Sequence, residues 1–331
     1  MKIYKSALFD RFQCIASACP DSCCKEWSVT VDPQSAAMYR QMEGPLGDRL
    51  RQVLAEEDGD TIMTIEDGRC PMWRQDGLCR IQAECGHDAL CKTCREFPRL
   101  THDYGDFVEY GLELSCPEAA QMILSSPALP FAETETAGGE APEYDEIDMQ
   151  VLLRTRKQAL ALLSEERAVP EALTLLLMYG YEAQSQLDGG DELPFDEESA
   201  LLDAKNFAKS SDPMEFLNFF KELEILDEQW LRRLESPAFG SWEKQHLRLA
   251  RYFVERYWLQ AVSDFDLVGR VKFAVISCLA IKFLGGDLIR TAQRYSKEIE
   301  NAPENVDAIL DGAYTCPTFT DEKLLGFLQI G

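Results

Sequence analysis

Ten of the chain's twelve cysteines fall between Cys14 and Cys116, and only Cys278 and Cys316 lie beyond. That lopsided placement constrains the fold more than any other feature. A disulfide framework needs an oxidising compartment, and the opening Met1-Lys-Ile-Tyr-Lys-Ser lacks the apolar core of a signal peptide. The expectation is a soluble, cytoplasmic chain with reduced thiols. A thiol-dense first third joined to a thiol-poor remainder then reads as a metal site built into one part of the molecule.

Charge narrows the partners. Thirty-three basic residues against fifty-eight acidic ones give a net charge of −25. Holding DNA or RNA needs clustered Lys and Arg, and so does docking on an anionic membrane surface; neither partner is expected. No run reaches the roughly 18 apolar residues of a membrane span. The longest candidate, Val271 to Gly286, is interrupted by Lys272 and Lys282.

Three regions follow from pattern. Residues 1–125 are expected to form an irregular cysteine-rich domain with a few short strands. Trp27 to Asp32, Thr61 to Ile65 and Phe107 to Leu114 are the strand candidates, and Gln34 to Glu56 carries a helical pattern weakened at Gly44-Pro45. Residues 126–148 read as an acidic linker, with seven acidic residues and no basic one from Phe131 to Asp148. Residues 149–331 read as an α-helical bundle. Helices are expected over Val151 to Ser164, Pro170 to Leu187, Pro213 to Leu234, Ser241 to Ser263 and Leu267 to Leu284. Asp212-Pro213 supplies an N-cap and a first-turn proline. The fold class expected is mainly α.

The cysteines form an ordered constellation. Cys14-x4-Cys19-x3-Cys23-Cys24 comes first, then Cys70 and Cys79, then Cys85-x5-Cys91-x2-Cys94, then Cys116. If Pro20 opens a helical turn, Cys19 and Cys23 project from one side of it. Cys19, Cys70, Cys116 and Cys316 each precede a proline, as ligating cysteines do in bacterial iron–sulfur motifs. Thiolates suit iron–sulfur clusters, zinc and copper(I). Zinc sites favour two short pairs about a dozen residues apart, and only Cys91-x2-Cys94 resembles one. Gaps of 4, 3 and 0 residues fit a cluster with ligands gathered from distant segments better. Zinc and free buried thiols stay open as alternatives. His87 is a further candidate ligand. Arg95 is a candidate partner for a negative cluster or an anionic group, and His102 and His246 read as ordinary residues.

Several signatures are absent. No strand–GxGxxG–helix fingerprint exists, and Phe283-Leu-Gly-Gly-Asp-Leu reads as a helix end and turn rather than a phosphate loop. The C-x3-C-x2-C spacing of radical S-adenosylmethionine enzymes begins at Cys19 and Cys23, but position 26 is Glu.

Cys14 to Trp27, Asp67-Gly-Arg-Cys-Pro, Asp76-Gly-Leu-Cys-Arg-Ile-Gln, Thr93-Cys-Arg-Glu-Phe-Pro-Arg and Leu114-Ser-Cys-Pro-Glu-Ala-Ala together resemble the flagellin lysine-N-methylase family. The N-terminal portion is also similar to a wider group of zinc- or iron-chelating cysteine-cluster proteins. The resemblance implies S-adenosylmethionine-dependent N-methylation of lysine side chains on flagellin, by a protein-lysine N-methyltransferase carrying a 4Fe–4S cluster. It further implies Cys14, Cys19, Cys23, Cys24, Cys70, Cys79, Cys94 and Cys116 as the metal-site cysteines, with Cys85 and Cys91 as additions of this sequence. No catalytic base follows from it. Tyr104, Asp106, Glu109 and Tyr110 lie between two ligand segments and are candidates. The alternatives are a non-enzymatic iron- or zinc-binding module for storage, sensing or delivery, and a thiol redox protein using Cys91-x2-Cys94.

Overall fold

Short apolar runs broken by Gly, Pro and Asp cannot build one large core. The computed structural model describes residues 1–25, 29–57, 59–127, 131–136, 138 and 141–329, and shows what they build instead. In chain order the N-terminal elements are β1 (Lys2–Lys5), β2 (Val29–Thr30), α1 (Pro33–Gln41), α2 (Gly44–Val53), β3 (Leu54–Glu57), β4 (Asp60–Met63) and α3 (Arg80–Cys85). They continue with α4 (Lys92–Glu96), β5 (Arg99–Asp103), β6 (Phe107–Leu112), α5 (Pro117–Ser125) and β7 (Ala132–Glu135).

Two small sheets result. One runs β5-β6-β1-β7, with β1 parallel to β6 and antiparallel to β7; the other is the antiparallel β2-β4-β3. The helical pattern of Gln34 to Glu56 splits where Gly44 takes φ +81°, ahead of Pro45. Its last stretch, Leu54–Glu57, is a strand hydrogen-bonded to β4 rather than the end of a helix. Only Val29 and Thr30 of the first strand candidate pair; Trp27 and Ser28 lie outside the described residues. Within the stretch read as a linker, Ala132–Glu135 forms the edge strand β7, while Leu129, Pro130 and Gly139 lie outside the described residues.

The remainder is helical: α6 (Glu146–Leu162), α7 (Val169–Leu187), α8 (Glu197–Phe207), α9 (Pro213–Asn218), α10 (Glu228–Glu235), α11 (Gln245–Tyr257), α12 (Leu267–Leu284), α13 (Leu288–Ile299), α14 (Pro303–Thr315) and α15 (Asp321–Gln329). The protein is mainly α. Asp212 caps α9 by accepting from Met214 N–H (2.8 Å), with Pro213 in the first turn. The helix expected over Pro213 to Leu234 is broken: α9 ends in a 3₁₀ turn at Phe219–Lys221, and α10 starts afresh behind the Asp227 cap. The stripe Phe216, Phe219, Phe220 is core packing, with Phe216 against Phe283 (5.3 Å) and Phe319 (5.0 Å).

α12 sits at the centre, apolar on every side as a helix enclosed by others must be. Its two interrupting lysines are both satisfied. Lys272 pairs with Asp321 (3.2 Å), and Lys282 lies over the Trp242 ring (5.1 Å). No described helix is long and apolar enough to cross a membrane.

The large core around α12 takes in Phe107, Leu114, Ala120 and Leu124, so β6 and α5 are packed into the helical half. A second core, built on Tyr39, Leu50, Met63 and Met72, underlies the β2-β4-β3 sheet; a third, small one holds Leu8, Phe12, Leu112 and Cys116. Alternation along β6 explains the first junction. Phe107 and Glu109 face the helices, and Glu109 is buried in a two-pronged pair with Arg156 of α6 (2.8 and 2.6 Å).

Removing one partner of such a pair strands the other charge in a dry site. Glu109→Ala is expected to cost about 3–5 kcal/mol of stability by urea unfolding. The double variant Glu109→Leu/Arg156→Met should regain most of that loss.

Candidate metal centre and the cleft beside it

The local chain places the sulfurs. Cys14 accepts from Ala16 N–H (3.4 Å) at the start of a 3₁₀ turn, Ala16–Ala18, and the Cys19 thiol donates to the Asp21 carbonyl (2.6 Å). No helix runs through residues 20–24, which are bends at 20, 21, 23 and 24, so Pro20 opens no helical turn, and the one-sided projection of Cys19 and Cys23 has no helix to rest on. The Cys23 thiol donates to the Cys24 sulfur, which lowers Cys24 to about 7 and raises Cys23.

Three other cysteines begin helices. Cys79, Cys91 and Cys116 occupy the N-cap positions of α3, α4 and α5. First-turn N–H groups favour the thiolate in each case: Ile81 and Gln82 at Cys79, Cys94 at Cys91, and Glu118 and Ala119 at Cys116. Burial opposes this at Cys116, pushed up to about 11, and at Cys79, which is also raised. Cys70, buried and 3.4 Å from the Met63 sulfur, is pushed by burial to about 12. The Cys94 thiol donates to Cys91, lowering Cys91 to about 7 and raising Cys94.

Eight cysteines were expected at the site, and all eight fall in one continuous neighbourhood. Cys23 lies within electrostatic reach of Cys14 and Cys116, Cys116 of Cys19, Cys70 and Cys79 of Cys24, and Cys94 of both Cys23 and Cys24. A ninth, Cys91, belongs with them. It is almost wholly buried and serves Cys94 as its hydrogen-bond partner, although the resemblance left it out. The signal in the sequence was its spacing, Cys91-x2-Cys94. Cys85 is exposed at the far end of α3, and Cys278 is buried within α12. In chemistry the nine soft donors fit an iron–sulfur cluster or zinc. Among the described residues, however, no group of three or more His, Cys, Asp or Glu side chains is drawn up closely enough to hold a metal ion, and the hydrogen-bonded sulfurs stand in pairs.

The other sequence candidates scatter. His87 is exposed, 3.9 Å from Asp88, and Arg95 donates to the Leu90 carbonyl (3.3 Å). Tyr104 stacks on Phe107 (4.8 Å), and Asp106 accepts from Tyr144. Glu109 and Tyr110 line a cavity of about 100 Å³ between β6 and α11, with His102, Arg251, Tyr252 and Glu255. Burial raises Glu255 and lowers His102 there. His246 is buried, brought down to about 4, and takes Glu243 N–H on Nδ1 (3.1 Å).

A larger cleft, about 990 Å³, opens between the cysteine loops and the helices. Ile15, Pro20, Asp21 and Pro117 form one wall; α10 and α13 form the other, bringing Arg232, Arg233, Arg290 and Arg294 together in an otherwise acidic molecule. Its edge is the Gly285-Gly286 turn, at φ +67° and +78°. A side chain at Gly286 would collide with Arg233, which donates to the Gly285 carbonyl. Sequence reasoning anticipated the turn but not the arginines, which come from two helices distant in the chain.

A mainly α-helical protein with a clustered-thiol head is the class that fold and site define. Lysine-N-methylase of Salmonella typhimurium is 34% identical over 132 residues, covering 38% of this chain and 33% of that protein. Flagellar biosynthetic protein FliU of Salmonella muenchen is 33% identical over 132 residues, covering 38% of this chain and 78% of that protein. Lysine-N-methylase of Salmonella choleraesuis is 33% identical over the same length. The chain belongs to the flagellin lysine-N-methylase family. It spans about a third of the length of the lysine-N-methylases it matches. No family model matches the chain, and no solved structure does.

Asp32 ties this region together. It caps α1 by accepting from Ser35 N–H (2.9 Å) and reaches Lys92 N–H (2.8 Å), next to Cys91. The Lys92 bond is the main reason its carboxyl lies at about 2. A lowered native value makes the contribution full above the ordinary Asp value of about 4, and it is lost as pH falls towards 2. Asp32→Ala should cost about 1–2 kcal/mol at pH 7, the usual worth of an N-cap. In unfolding curves taken across that range, the gap between variant and parent should shrink between about pH 4 and pH 2.

Proposed function

We propose that the chain acts in S-adenosylmethionine-dependent N-methylation of lysine side chains on flagellin, as a protein-lysine N-methyltransferase carrying an iron–sulfur cluster, of 4Fe–4S type, on its clustered thiols. The observation that carries this reading is the gathering of the eight family-pattern cysteines into one neighbourhood beside a large cleft. The relatives' names, lysine-N-methylase and flagellar biosynthetic protein, supply the reaction and its setting.

The chain's own residues suit the task in three ways. Cys14, Cys19, Cys23, Cys24, Cys70, Cys79, Cys94 and Cys116 offer more than the four thiolates a cluster takes. When bound, the cluster would cross-link loops that have little core of their own. In the cleft, Arg290 and Arg294 offer charge-assisted hydrogen bonds to a carboxylate such as that of S-adenosylmethionine. The net charge of −25 draws in a lysine-bearing protein. A lysine near its ordinary pKa of about 10.4 is a nucleophile only when neutral, so the site must desolvate it or face it with a base. Its nitrogen then has to lie in line with the methyl group.

Anaerobically purified protein should contain iron and acid-labile sulfide in equal amounts, with broad absorption near 400 nm that fades on reduction. It should bind S-adenosylmethionine and pass a labelled methyl group to flagellin lysine. Cys19→Ala should lose metal and Cys278→Ala should keep it. Zinc without sulfide, and no S-adenosylmethionine binding, would replace this reading with that of a zinc-holding binding module.

A further inference from the structure

The thiols divide according to what surrounds them. Cys70 and Cys91 are buried in the second core, with Cys24 and Cys79 packed against it. Backbone ties fix these segments to one another. Cys70 N–H donates to the Cys24 carbonyl (2.7 Å), and Arg80 N–H, next to Cys79, donates to the Met72 carbonyl (2.7 Å). Asp32 holds Lys92, next to Cys91, and Tyr39 Oη donates to the Ala89 carbonyl (2.8 Å) two residues before it. Cys94 follows Cys91 within the single turn of α4.

Cys116 belongs elsewhere. It lies in the third core with Phe12, two residues from Cys14. The link to Cys19 and Cys23 comes from the helical half. Gln293 of α13 donates to the Ser115 carbonyl (2.7 Å), beside Cys116, and to the Asp21 carboxylate (3.1 Å), midway between Cys19 and Cys23. Lys297 reaches the same carboxylate (3.5 Å). Every N-terminal residue on the wall of the large cleft lies within five residues of Cys14, Cys19, Cys23 or Cys116. The adjacent Cys23 and Cys24 mark where the two sets meet.

We infer that the chain carries two thiolate-bound metal centres rather than one: the first on Cys14, Cys19, Cys23 and Cys116 beside the cleft, the second on four of Cys24, Cys70, Cys79, Cys91 and Cys94 within the second core. This rests on the reading of the clustered thiols as metal ligands. A cluster or a structural zinc takes four cysteines, so nine exceed one centre and suffice for two. The pairing of sulfurs seen here is what protonated thiols do; metal binding removes those protons and replaces S–H donation with coordination.

The test is a metal count on the full chain, purified without air, for the parent and for Cys116→Ala, Cys91→Ala and Cys85→Ala. The parent should hold about eight iron and eight sulfide if both centres are 4Fe–4S clusters, or about four of each with about one zinc if the second set takes zinc. Cys116→Ala should lose the first centre and keep the second. Cys91→Ala should perturb the second and keep the first, and Cys85→Ala should keep both. Gln293→Leu, which leaves every thiol in place, should lower occupancy of the first centre only. A single centre in the parent would overturn the inference while leaving the iron–sulfur reading intact. Loss of both centres in Cys116→Ala or in Cys91→Ala, with helical circular dichroism retained, would also overturn it. A parent free of metal would remove both proposals together, and because the parent's count needs no variant, misfolded variants cannot mask the answer.

Discussion

Burial of α12 on all sides is the constraint from which the rest of the structure follows. A helix whose every face is apolar must be enclosed, so α7, α11, α13 and α14 gather around it, and their own outer faces set where everything else can attach. The large core continues from there into β6 and α5 through Phe107, Leu114 and Leu124. The N-terminal sheet is therefore anchored to the bundle by ordinary apolar packing and by the buried Glu109–Arg156 pair. Of the thiol-bearing segments, that of Cys116 shares this anchorage through α5, while the loop around Cys19 and Cys23 is tied to the bundle by polar contacts of Gln293 and Lys297 to Asp21.

Much of this was legible in the sequence because it depends on local signals. The long apolar run of Leu267 to Leu284, the Asp212-Pro213 cap and the turn at Gly285-Gly286 are each signals of neighbouring residues, and each is found where the pattern puts it. The misses share a cause. Leu54–Glu57 extends a helical pattern but pairs with Asp60–Met63, because a tight hairpin there completes a sheet. Likewise β7 is acidic and fully exposed, with nothing in its composition to mark a strand; it exists because β1 offers it an edge. The parallel pairing of Lys2–Lys5 with Phe107–Tyr110 joins the chain's start to a segment far along it, a choice no local window contains.

The candidate site divides in the same way. The resemblance to a known family, rather than spacing alone, implied eight of the nine neighbouring thiols, and the ninth, Cys91, was visible as half of a C-x2-C pair. The residues that hold those thiols in place were not visible. Gln293 is one glutamine on an amphipathic helix, and Asp21 one carboxylate among many; only the packing of α13 against α5 gives them a role. The four arginines of the cleft are equally silent in sequence, since two come from α10 and two from α13.

One consequence follows from the position of α13. Along one face, at i, i+3, i+4 and i+7, it presents Arg290 and Arg294 to the cleft, which Gln293 also lines, and sends Gln293 and Lys297 to the loops around Cys19 and Cys116. A single rigid rod thus touches both compartments. Whatever settles in the cleft and braces that rod also braces the loops, and whatever locks the loops fixes the arginines in turn. Such linkage is reciprocal in free energy. The cleft and the thiols then answer to each other as two ends of one lever, with α13 as its arm.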